Sequence, residues 1–293
     1  MKNFQELNLC DDFLFKLVMH DEKLVKGFLE MVLDLKGKIQ NIKFIEGEKT
    51  IKIGYIDKSV RLDVYVLDEE CNVYNIEIQN GRLRELPKRS RKYQSSIDMG
   101  ALKPGEDYAN LKKQYIIFVC TGDPFGKGLY KYTFTNRCKE WPELELGDGT
   151  TKIFLNTRGK LGGASEELKA FLKFVEESTV QNAKETKDLY VEQLSEKIED
   201  IKKNKELGGA FMTLEEKMEE LARLKMEEGK IEGFIEGREE GREEGREEGR
   251  EEGREEGLLE EKKRIAIAMK SEGFALEQIS KLTRLTIEEL EKL

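Results

Sequence analysis

A single histidine, His20, stands in 293 residues. One imidazole excludes a histidine-rich zinc site and argues against a Ser–His or Cys–His relay. Four cysteines, Cys10, Cys71, Cys120 and Cys138, are scattered with no CxxC pair. That usage predicts reduced thiols in a cytoplasmic protein rather than a disulfide framework. No apolar run approaches the length of a transmembrane helix, and the opening "MKNFQELNLCDDFLF" is polar and acidic, unlike a signal peptide. A soluble protein without a membrane partner is expected. Proline is also scarce: all four prolines, with the lone Trp141, fall in the first 160 residues. The folded core is expected there.

Charge is what the chain has in excess. Charged residues make up 38% and hydrophobic residues 38%, with a net charge of −9, so much of the chain reads as solvated helix. Three textures follow one another. Residues 1–163 open with one amphipathic helix, "DDFLFKLVMHDEKLVKGFLEMVL". Strand-like runs follow at "NIKFIEG", "RLDVYVL" and "VYNIEIQ", then a helix, "LPKRSRKYQSSIDMGALK", with Pro87 in its first turn. "QYIIFVC", "YKYTFTN" and "TKIFLNT" add three more strands. Helix, strands, helix and strand predict an α/β mixed sheet flanked by helices.

Residues 164–228 are charged and weakly periodic and read as helices leaving that core. From Gly229 glycine recurs every four residues to Gly257, mostly as "REEG", and 229–264 holds nine Lys and Arg against fourteen Glu. Interior glycines cost about 0.5–1 kcal/mol each, more than the few tenths gained from each Glu–Arg pair. The repeat is therefore either a flexible charged linker or a helix whose glycine stripe packs on a partner. Residues 265–293 read as a small helical module, either for oligomerisation or resembling a helix-turn-helix. Its four basic and five acidic residues suit phosphate poorly.

Three polar residues interrupt the strand pattern: Asp63 in "RLDVYVL", and Glu77 and Gln79 in "VYNIEIQ". Residues two apart share a strand face, so Glu77 and Gln79 point one way while Ile76 and Ile78 point the other. A hairpin centred on Glu70 sets Asp63 directly opposite Glu77. Two carboxylates at cross-strand distance repel unless one is protonated or a cation lies between them. Mg²⁺ takes one or two carboxylates and keeps waters for substrate oxygens. The alternative is the wet face of an antiparallel sheet. "GRLRELPKRSRK" follows at once, with six Lys and Arg against one acid. Arg82, Arg84, Arg89, Arg91 and Lys92 beside an acid pair suit a phosphate-bearing substrate.

"DDFLFK", "RLDVYV", "NIEIQ" and "KRSRKYQ", in that order, resemble the PD-(D/E)XK nuclease superfamily, and within it the Rpn recombination-promoting nucleases often described as transposases. "LKPGEDY", "YIIFVCTGDPFGKGLYKYTFTNRC" and "LELGDGTTKIFLNTRG" add to the likeness. The resemblance implies a restriction-endonuclease-like sheet followed by an all-helical C-terminal extension. It implies Mg²⁺, with Mn²⁺ as substitute, held by Asp63 and Glu77. Gln79 would position water, Asp12 (or Asp11) would complete the site from the first helix, and Tyr93 would face the cleft. The motif position that Gln79 fills is normally Lys, so Arg89, Arg91 or Lys92 is expected to supply the missing charge. DNA is the implied substrate, in recombination, mobile-element movement or phage defence. A nuclease fold with a weak or inactive site, acting as an oligomerising adaptor, is the competing reading, and a strand-joining transposase a third. The C-terminal helices are expected to form a homodimer or higher oligomer. Internal initiation at Met212, Met218 or Met226 would yield a short C-terminal product that pairs with the full chain.

Overall fold

The computed structural model describes residues 2–35, 37, 39, 41–51, 60–81 and 83–293. The chain divides into two compact units, Met1–Glu216 and Lys217–Leu293.

The first unit is built on six strands: β1 (Ile42–Ile51), β2 (Val60–Asp68), β3 (Val73–Gln79), β4 (Gln114–Cys120), β5 (Lys131–Phe134) and β6 (Thr150–Asn156). They form one sheet in the order β1-β2-β3-β4-β6-β5. β3, β4 and β6 run parallel, and the remaining pairs are antiparallel. The parallel centre explains the continuous apolar run "QYIIFVC", since such strands are covered on both faces. Between β3 and β4 the chain crosses over through α3 (Leu86–Ala101), with Pro87 in its first turn.

Each face of the sheet has its own core. α3 lies over one face, where Leu86 and Ile97 pack with Ile116, Phe118 and Phe154. The other face carries Ile76, Ile78, Ile117 and Val119 under α1 (Asp12–Met19) and α2 (Glu22–Val32). The opening segment, expected as one helix, is thus two. Asp21 breaks it: its carboxylate accepts hydrogen bonds from the Lys23 and Leu24 backbone N–H groups, capping α2. Lys197 pairs with the same carboxylate at 2.9 Å.

Lys197 belongs to α6 (Leu189–Lys203), which with α4 (Glu166–Glu176) and α5 (Val180–Thr186) covers this face as well. Residues 166–203 therefore do not leave the core, as their charge suggested. Leu168, Phe171, Leu172 and Val175 are buried in it. Their spacing is a helical seam, obscured in sequence by the Lys and Glu between them.

A 67-residue helix, α7 (Lys205–Ser271), begins in the first unit, where Phe211 is buried, and carries the "REEG" repeat as helix rather than linker. In the second unit Ala266 near its end packs with Ile279, Leu285 and Leu290. The last three lie on or beside α8 (Leu276–Thr283) and α9 (Ile287–Glu291). Gly273, at φ +91°, turns the chain between α7 and α8. Among the described residues no helix is long and apolar enough to cross a membrane.

Candidate active site

The hairpin of β2 and β3 aligns the acids. Its turn is closed by Asp68, whose carboxylate accepts from the Asn72 N–H at 2.8 Å, while Cys71 adopts φ +63°. This geometry pairs Val64 with Ile76 and Tyr65 with Asn75. One step further, the Asp63 backbone N–H donates to Glu77 Oε1 at 3.1 Å. Carried one residue beyond Val64 and Ile76, this register sets Asp63 opposite Glu77, as expected.

Glu77 is 1% exposed. Its Oε1 also accepts from Asn75 Nδ2 at 3.0 Å, and Asn75 is wholly buried. Its Oε2 faces Arg89 Nη2 at 3.4 Å. Arg89, on α3, donates to Gln79 Oε1 and, at 2.8 Å, to the Tyr93 hydroxyl. The same guanidinium lies over the Tyr93 and Phe118 rings, at 5.4 and 5.6 Å from their centroids. Gln79 Nε2 donates to the Gly81 carbonyl, so both ends of its amide are committed.

Asp63 finds its cation on α1. Lys16 Nζ lies 3.2 Å from Asp63 Oδ1 and 2.6 Å from Asp12 Oδ2, and Lys16 is only 9% exposed. Asp12 thus joins the site through Lys16, at helical i,i+4 spacing. Asp11 does not join it: Asp11 accepts from the Asn8 N–H at 2.9 Å and pairs with Lys2.

Burial and mutual repulsion both act on the acids. Burial first, and then the Asp63 charge, push the Glu77 carboxyl up to about 8, against the hydrogen bonds and Arg89, which favour the anion. Asp63 is raised too, by burial and by Asp12, with Lys16 opposing.

The other cations are dispersed. Arg84, Arg91 and Lys92 are exposed, and Arg82 lies outside the described residues. Of the three cations expected to replace the motif lysine, Arg89 contacts Glu77 and Gln79. Arg91 and Lys92 turn to solvent because α3 presents Leu86, Ser90, Tyr93 and Ile97 to the sheet.

Among the described residues no group of three or more His, Cys, Asp or Glu side chains forms a metal cage. The site offers two carboxylates, Asp63 and Glu77, with no imidazole or thiolate in the arrangement. Hard oxygen donors, few in number and destabilised as a pair by burial and mutual repulsion, fit a cation of the Mg²⁺ type that keeps most of its waters.

A mixed sheet flanked by helices, with two acids on a central hairpin, defines the restriction-endonuclease-like α/β class. A model described as the PD-(D/E)XK nuclease family transposase matches residues 9–232, and the chain belongs to that family. No curated protein and no solved structure matches it significantly.

Two residues escaped the sequence reading. Lys16 sits in the quoted "DDFLFK", and its spacing from Asp12 was the available signal. Asn75 shares the parity of Glu77 along β3, the signal for a neighbour on the same face.

Proposed function

We propose that this chain is a metal-dependent DNA endonuclease. The observation that carries the reading is the pairing of half-buried Asp63 with buried Glu77, the latter held by Asn75 and the Asp63 N–H. Asp63 and Glu77 would hold Mg²⁺, or Mn²⁺ in its place. When bound, the cation supplies Lewis acidity, polarising the scissile phosphate and acidifying water. Arg89, pinned by Gln79 and Tyr93, faces the phosphate with a charge that it cannot lose. Gln79 holds Arg89 and borders the place where water attacks. Exposed Arg84, Arg91 and Lys92 grip flanking phosphates, with Arg82 expected to join them. In this reading residues up to 216 carry the catalytic unit, and the C-terminal helices would assemble copies of the chain.

The test is incubation of supercoiled plasmid with the purified chain in Mg²⁺, Mn²⁺ or EDTA, beside Asp63→Ala and Glu77→Ala. Nicking that needs metal and is lost in both variants is the expected result. Metal binding without cleavage would favour the adaptor reading, and joined strands among the products would favour a transposase.

A further inference from the structure

Lys16 is an expensive residue in an unusual place. A lysine that merely decorates a helix keeps its ammonium in water, whereas this one is 9% exposed. It reaches past the apolar residues of α1 to an acid on the sheet, 3.2 Å away. Burying an ammonium is costly unless it is paired and hydrogen-bonded. Asp12, 56% exposed on its side chain, anchors the ammonium from the solvent side at 2.6 Å. Lys16 is thus suspended between a surface acid, Asp12, and the half-buried Asp63 of the acid pair.

The remaining groups do not duplicate it. Gln79 is neutral, and both ends of its amide are committed. Arg89 is held among Gln79, Glu77 and Tyr93, on the α3 side of the acids. A cation arriving at Asp63 competes with Lys16 for the same carboxylate, and like charges at that range repel strongly in a buried setting. The flexible four-carbon stem lets the ammonium yield while Asp12 retains it. On the nuclease reading, the anion that then comes to the site is the substrate phosphate.

We infer that Lys16 is a catalytic residue of this site: its ammonium neutralises Asp63 before metal arrives, then engages the scissile phosphate and stabilises the charge that develops there. The inference rests on the nuclease reading above. In the step itself the oxygen of water bonds to phosphorus and the P–O ester bond breaks. One water proton ends on the departing oxygen, giving a hydroxyl end, and the other leaves to solvent from the new phosphate monoester. Lys16 donates hydrogen bonds to the phosphate oxygens throughout and is unchanged at the end.

The experiment compares the full-length chain with Lys16→Met, Lys16→Arg and Asp63→Ala. It measures Mn²⁺ affinity by calorimetry, plasmid nicking at saturating Mn²⁺, and thermal unfolding. Lys16→Met is expected to bind Mn²⁺ as tightly as wild type or more tightly, because a competing charge is gone. It should nick about a hundredfold more slowly, the scale for one lost charge-stabilising donor. Lys16→Arg should fall between. If Lys16→Met lowers the melting temperature, Lys16→Gln, which keeps a polar head, takes its place. Nicking by the neutral variant close to the wild-type rate overturns this inference alone. So does a loss of Mn²⁺ affinity as large as that of Asp63→Ala, which would make Lys16 a builder of the site. A wild type that binds Mn²⁺ and cuts nothing overturns the nuclease reading, and this inference with it.

Discussion

Glu77 Oε1 accepts from both the Asp63 N–H and Asn75, so the carboxylate is oriented before any cation arrives and Oε2 is the oxygen turned to Arg89. Partners that orient a ligand matter nearly as much as the ligand itself. Asn75→Ala should therefore lower metal affinity and nicking by about 10–100-fold while Asp63 and Glu77 stay in place, as calorimetry and plasmid nicking would show. The proton on the acid pair gives a second prediction. The Glu77 carboxyl rises from an ordinary 4.5 to about 8 in the metal-free fold. The folded chain then binds more protons than the unfolded one across that interval. This contribution to stability is fully present below 4.5 and is lost as pH rises through about 8. The melting temperature of the metal-free chain should accordingly fall more steeply over this range than that of Glu77→Gln, in which the titration is absent.

Among the elements, α7 carries the sharpest conflict between propensity and structure. Its eight repeat-spaced glycines, Gly229 to Gly257, lie inside a helix, and a Cβ added at any of them would meet nothing within 4 Å. Open space means that alanine there gains helix propensity without a clash. Replacing Gly237, Gly241 and Gly245 with alanine should each add about 0.5–1 kcal/mol of helix stability, visible as higher ellipticity and a later thermal transition. A fall in stability would reveal a partner helix seated on the stripe. The hairpin of β2 and β3 is the opposite case, since turn, alternation and register agree, and its layout is legible from "RLDVYVLDEECNVYNIEIQ" alone. α4 was legible in principle, through Leu168, Phe171, Leu172 and Val175. Its intervening charges drew attention to solvent when one face was enough to cover a sheet.

For the whole molecule, a net charge of −9 sets the chain against a polyanion, so on the nuclease reading binding of DNA would depend on where the cations stand rather than on their total. Arg84, Arg91 and Lys92 are exposed to solvent, Arg91 and Lys92 on the same helix as Arg89. Replacing Arg91 and Lys92 together with alanine should weaken duplex binding across all sequences. The slope of log affinity against log salt should shrink by about 0.9 for each phosphate that is no longer neutralised, measurable by fluorescence anisotropy over a salt series. An unchanged slope would move the DNA path away from α3. Sequence by itself determined the strands, the hairpin centred on Glu70, and with them the opposition of Asp63 and Glu77, because side-chain alternation and turn geometry are local properties of the backbone. Tertiary structure alone decided which cations meet those acids. Lys16 arrives from α1 and Arg89 from α3, whereas Arg91 and Lys92, close by in sequence, turn away. No local period encodes that choice: it follows from which helix face buries the most apolar surface against the sheet.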